Sequence, residues 1–219
     1  AAPNDPLFSA QWALKNTGQN QGTAGIDINY LPAREVTQGS SDIIVAVLDH
    51  GTQLDHPDLN VSSKSYDTET GRSPSQIWGN HGTACSGIIS AKTNNNLGVA
   101  GIAPNCPVMS ISNQLMGTSD APQKRADGFN WAWRNGASVI SNSWRSSTFS
   151  ELLEDAIQSA MTNGRNGLGC VVTFSAGNYD SNTVGYPARS LPDIIVVGAL
   201  SLSGKRKSST TIDNEGWWG

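Results

Sequence analysis

Short apolar runs recur along the chain at 43–48, 108–111, 139–141, 171–174 and 194–197. They are rich in β-branched residues and nearly continuous rather than alternating, as strands read when both faces of a parallel sheet are covered. Helical patterns lie between them. Ser150 is placed to cap a helix whose Leu152, Leu153, Ala156, Ile157, Ala160 and Met161 share one face, and Gly164 is expected to end it as a C′ residue. Residues 122–135 read as a second helix, with Trp131 and Trp133 near its end, and 82–91 as a third, small and apolar enough to pack closely. Strand and helix in alternation give the α/β class with right-handed crossovers. No internal repeat or linker interrupts the pattern, so residues 1–219 are expected to form a single domain.

In such sheets ligands bind beyond the carboxyl ends of the strands. Asp49 directly follows the first run, Ser143 follows the run at 139–141, and Asn178 follows the run at 171–174 through S-A-G-N. Three polar groups therefore emerge on one edge, and His81 opens a helix whose N-terminus is expected to face it.

Composition narrows the class. A chain of 219 residues suits one domain with a full-sized core. Only 15% of residues are charged and the formal net charge is −4, which argues against a nucleic-acid partner because phosphate binding wants a basic face. The 23 glycines point to a loop-rich globular protein. No apolar run approaches the ~20 residues of a membrane span, so no membrane partner is expected. The opening A-A-P-N-D-P has neither the basic start nor the apolar stretch of a signal peptide, which an exported protein loses on processing. Three cysteines, Cys85, Cys106 and Cys170, make no disulfide scaffold, and at least one thiol is free or pairs with another molecule.

Candidate chemistry concentrates in V-A-V-L-D-H-G-T-Q-L-D-H-P-D-L, which holds Asp49, His50, Asp55, His56 and Asp58. A transition-metal site would want ligands paired on one helix or hairpin with supporting partners, and no such pair is visible. A polar turn, with Asp49 capping before Gly51 and the histidines solvated, needs no function. A third reading joins Asp49 to His81, because an aspartate at a strand end and a histidine at a helix N-terminus suit the orienter and base of a nucleophilic triad. The helix dipole favours the neutral ring, the form a general base needs. Asn178 then offers an amide donor for an oxyanion.

Five segments in this order resemble the subtilisin-like serine peptidases, the subtilases: V-A-V-L-D-H-G, H-G-T-A-C-S-G, I-S-N-S-W, V-T-F-S-A-G-N, and Y-P-A-R followed by I-I-V-V-G-A. The resemblance implies a three-layer, doubly wound, mostly parallel α/β sheet flanked by helices, and a secreted endopeptidase acting on polypeptides with Asp49, His81 and Asn178 in its site. It implies a primary specificity pocket lined by Ser143, Trp144, Arg145 and Ser146 and by Ser175, Ala176 and Gly177. Arg145 and Ser146 stand where the family often has glycine, so the Arg145 cation either favours acidic substrate residues or points to solvent. K-T-N-N-N-L-G-V-A-G resembles the family's calcium loop, with the Asn95 side chain and the carbonyls of Thr93, Leu97 and Val99 as ligands. Asp58 and, from A-P-N-D-P-L-F, Asp5 match further ligands, all hard oxygens as calcium requires. The plainer reading is an Asn-rich turn capped by Asp58. His50, Asp55 and His56 are expected to be structural or solvated.

The family's nucleophile motif, G-T-S-x-A-x-P, does not occur in the chain. Gly117-Thr118-Ser119 is out of order and is read as a cleft-edge loop. The expectation is therefore a fold whose C-terminal part, with the serine, lies outside 1–219, carried by a remaining segment or a separate chain. Residues 201–211 would be a surface loop where a complete chain was nicked. The alternative is a non-catalytic subtilase-like module or fragment that binds peptide or a partner. Cys85 is expected to be a buried free thiol behind His81, facing away from the cleft, through which mercurials would displace the base. Cys106 and Cys170 are expected to stay unpaired.

Overall fold

The computed structural model describes residues 1–208. Six strands form one sheet: β1 (Ile44–Asp49), β2 (Tyr66–Asp67), β3 (Val108–Ser112), β4 (Ala137–Asn142), β5 (Val171–Ser175) and β6 (Ile195–Val197). Their order across the sheet is β2-β3-β1-β4-β5-β6, and every neighbouring pair is parallel. All five predicted runs are strands. The two-residue edge strand β2 was not expected, because it has no apolar run. β6 departs from the expectation of two covered faces: Ile195, Val196 and Val197 are exposed, since this strand ends the described sheet with β5 as its one neighbour.

Four α-helices accompany the sheet: α1 (Tyr30–Val36), α2 (His81–Ser90), α3 (Ala121–Arg134) and α4 (Glu151–Gly167). Alternation along the strands divides the layers. Ala46 and Leu48 of β1, with Met109 and Ile111 of β3, enter the main core together with Ala126, Phe129 and Ala132 of α3 and Leu153, Ala156, Ile157 and Ala160 of α4. Burying each of the larger side chains contributes about 1.5–3 kcal/mol. Asp49 and Ser112 project to the opposite face, on which α2 packs.

Two features of α4 correct the sequence reading. Leu152 is exposed and Met161 only partly buried, so the buried stripe is narrower than predicted. Regular helical dihedrals do stop at Gly164, whose ψ is 159°, but it is not in the left-handed region; Arg165 and Asn166 are. The glycine is needed for space, because a Cβ there would stand 2.3 Å from Cys170 Sγ. The Ser150 cap is present, its side chain accepting from Leu153 N. All three cysteines are free, and Cys106 and Cys170 are buried.

The N-terminal segment packs separately. Phe8, Leu14, Tyr30 and Ala100 form a small second core, and the Tyr30 hydroxyl donates to Gly101 O at 3.0 Å. This packing lays residues 4–7 along the loop after α2, where Leu7 N donates to Gly98 O. No helix among the described residues is long and apolar enough to cross a membrane.

Candidate active site

β1 delivers Asp49 at its carboxyl end, wholly buried. α2 begins at His81, and Gly82 lets it come close: a Cβ on Gly82 would stand 2.5 Å from Gly51 O. This approach puts His81 Nδ1 2.8 Å from Asp49 Oδ1 and 2.9 Å from Oδ2. Oδ1 also accepts from His50 N at 2.7 Å, which fixes the carboxylate's orientation. An ionised carboxylate only accepts hydrogen bonds, so it holds the proton on Nδ1 and leaves the Nε2 lone pair outward. The His81 side chain is about half exposed, as a base that must meet a substrate has to be.

Cys85 lies one turn along α2 from His81. Its Sγ is 3.8 Å from His81 Nδ1 and 3.8 Å from Ser143 Oγ. The expectation of a buried thiol facing away is therefore wrong: the residue is only partly buried and its sulfur turns towards Ser143. Desolvation and then the charge of Asp49 push the thiol up from its ordinary range, against a hydrogen bond to Ser143. Asp49, His81 and Cys85 are the one group of three or more acidic, histidine or cysteine side chains with clustered ligand atoms among the described residues. His50 packs edge-on to His81, with centroids 6.2 Å apart. Asp55 accepts from Gln53, and His56 Nδ1 accepts from Asp58 N. Ser119 sits in the exposed turn leading into α3.

Beyond Ser143 a cavity of about 730 Å³ opens between the segment after β4 and the segment after β5. Arg145, Ser146, Ser175, Ala176 and Gly177 line it, and Asn178 follows directly with an exposed side chain. Trp144 borders the cavity but belongs mainly to the core. It is 7% exposed, packs edge-on to Phe174 with centroids 5.0 Å apart, and lies beneath the Arg125 guanidinium. Ser146 N donates to Tyr186 O at 2.8 Å, tying the two walls together. The sequence reading missed Tyr179, Asp180, Gly185, Arg206 and Lys207 in the lining. The resemblance had marked Y-P-A-R only as a family segment, and the residues after Asn178 carry no periodic signal.

Asp5 and Asp58 meet at a second cluster. Both are buried. Asp5 accepts from the N–H groups of Asn94 and Asn95 at 3.1 and 3.3 Å, and Asp58 Oδ1 accepts from Asn95 Nδ2 at 2.8 Å. Asn95 Oδ1 accepts from Leu97 N. Gly98 adopts φ +53°, and a Cβ there would stand 2.3 Å from Asp58 Oδ2. Thr93 and Val99 are partly buried and Leu97 is exposed. Neither Asp5 nor Asp58 forms an ion pair with a described residue. Two buried carboxylates that both accept hydrogen bonds from one Asn-rich loop and form no ion pair with a described residue fit a hard divalent cation.

A family model described as the subtilase family matches residues 40–217. The chain is 31% identical, over 96% of its length, to a calcium-dependent protease of a Nostoc species, and 34% identical, over all of it, to a thermophilic serine proteinase of a Bacillus species. It spans 34% and 52% of those proteins. A solved protease from Pseudoalteromonas arctica shares the fold with a TM-score of 0.76 and 28% identity, over 94% of this chain and 68% of that one. With its parallel sheet, its strand-end aspartate and its helix-borne histidine joined in one site, the chain belongs to the subtilase family.

Proposed function

We propose that residues 1–219 are one domain carrying the proton-transfer and oxyanion parts of a secreted serine endopeptidase. The observation that carries this reading is the Asp49–His81 pair, 2.8 Å apart, with the carboxylate buried and the imidazole open. A serine hydroxyl supplied from outside these residues attacks the carbonyl carbon of a peptide bond. Its proton passes to His81 Nε2, and Asp49 stabilises the imidazolium across Nδ1. The Asn178 amide donates to the oxyanion, a contribution of about 10²–10³ in rate. Collapse of the tetrahedral species breaks the C–N bond, and the amine leaves with the proton from His81. Water repeats the cycle on the ester and frees the serine.

The same reading includes a structural calcium ion held by Asp5, Asp58, the Asn95 side chain and the carbonyls of Thr93, Leu97 and Val99. One relative's name, a calcium-dependent protease, and the two unpaired buried carboxylates support it. The ion would supply positive charge between acids that have no cationic partner. Its place is where the N-terminal segment meets the loop after α2.

The test is peptide hydrolysis and fluorophosphonate labelling of the full-length protein and its His81→Ala variant. Turnover is expected to vanish in the variant with thermal unfolding unchanged. Retained turnover would remove His81 from the mechanism. Absence of any adduct or cleavage in the wild type would leave a peptide-binding module.

A further inference from the structure

Arg145 is exposed, but its side chain lies across the cavity between the two walls. Its Cβ and Cδ stand 3.6 and 3.7 Å from where a Cβ on Gly185 would be, so its stem lies along the Gly185 backbone. Its guanidinium carbon stands 3.6 Å from the centre of the Tyr179 ring on the other wall. A guanidinium stacked by its face keeps its N–H edge in the plane of the fork, the geometry that binds a carboxylate through two parallel hydrogen bonds. Among the described residues that edge donates to no other side chain or carbonyl and forms no ion pair. Asp180, the one acidic residue in the described lining, is ion-paired with Arg206 at 2.8 Å and forms no ion pair with Arg145. Arg189 adds a second cation to the lining.

From this placement we infer that Arg145, oriented by Tyr179, is a specificity-determining residue that selects peptides with an acidic side chain on the acyl side of the scissile bond. The position follows from adjacency: Ser175 to Gly177 form one wall and run directly into Asn178. The residue whose carbonyl meets the Asn178 amide therefore places its side chain nearest this cavity. The inference rests on the peptidase reading for the direction of the peptide, but its charge logic concerns binding alone. A carboxylate entering the cavity gains a charge-assisted pair, while an amide of the same shape does not.

The experiment measures both steps on the full-length protein. Binding of acetylated Ala-Ala-Pro-Glu, Ala-Ala-Pro-Gln and Ala-Ala-Pro-Lys amides is followed by calorimetry, and kcat/KM is measured on longer peptides with those residues before the cleaved bond. Glu is expected to exceed Gln by about tenfold, in line with one charge-assisted bidentate pair, and the ratio is expected to shrink as salt rises. Arg145→Ala should bring the ratio to about one, and Arg145→Glu should turn the preference to Lys. Tyr179→Leu should lower the ratio while Tyr179→Phe keeps it. Equal binding of the Glu and Gln peptides overturns the inference whether or not the protein cleaves. Cleavage without acidic preference also overturns it and leaves the peptidase reading standing. A Glu preference in binding without any cleavage supports the inference and overturns the peptidase reading instead.

Discussion

Asp49 and Asp58 are buried almost equally, at 0% and 3% exposure, yet they keep different company. Asp49 faces an imidazole that can take and return a proton. The Asp58 carboxylate faces the Asn95 amide and the Gly98 backbone, neither of which titrates in the working range. Burial alone therefore says little about a carboxylate's task. What decides it is whether the partner can change charge. The first arrangement suits chemistry at a fixed distance; the second suits a fixed charge that another cation has to balance.

The sharpest way to break this comparison is to change the Asp49 carboxylate. Asp49→Asn should lower kcat of the full-length protein by about 10⁴ with little change in fold, because an amide donor no longer enforces the Nδ1–H tautomer. Steady-state kinetics beside circular dichroism would check it, and a loss under tenfold would put Asp49 outside the proton path. A smaller effect is expected at the other carboxylate. If calcium fills its site at about 100 times Kd it adds about 2.7 kcal/mol, so chelation should lower Tm by roughly 5–10 °C for a chain this size. Asp58→Asn should abolish that difference; a chelator shift that survives the substitution would exclude Asp58 as a ligand.

A third carboxylate sharpens the contrast with the smallest effect. Asp67 is wholly buried and accepts from Trp78 Nε1, Ser112 Oγ and both Thr70 donors. Burial opposes its charge, but these donors together outweigh burial and hold it below the ordinary carboxylate range. A folded value below the unfolded one means stability that is present above the unfolded pKa and is lost as pH falls through the folded one. Asp67→Asn should accordingly flatten the acid limb of Tm against pH below about pH 4, by a few degrees. An unchanged limb would show that these hydrogen bonds contribute no charge-dependent stability.

What was legible in the chain was whatever local pattern decides. The five apolar runs became strands because covered parallel strands need continuous apolar sequence, and Ser150 capped its helix because the hydroxyl is three residues from the N–H it accepts. The meeting of Asp49 and His81 was legible for a topological reason: strand ends and helix N-termini share one edge of such a sheet. Other features depend on what packs over them. Nothing local told Cys85 to turn towards Ser143, Trp144 to join Phe174, or Arg145 to lie on Tyr179. Likewise α1, seven residues containing Pro32, and the two-residue β2 are held by neighbours rather than by propensity. Residues 209–211, the end of the expected surface loop, lie outside the described residues.

The order of the sheet carries one more consequence. β1 is the first strand in the chain but lies between β3 and β4, and Ile44 finds its β4 partner only at Ala137. Because all neighbours are parallel, no hairpin can nucleate the sheet, and every pairing waits for a crossover to close. The entropy of those closures is spent before the contacts reward it, which slows folding. During synthesis the strand that bears Asp49 therefore emerges early and stays open along one edge until the second half of the chain arrives to seal it.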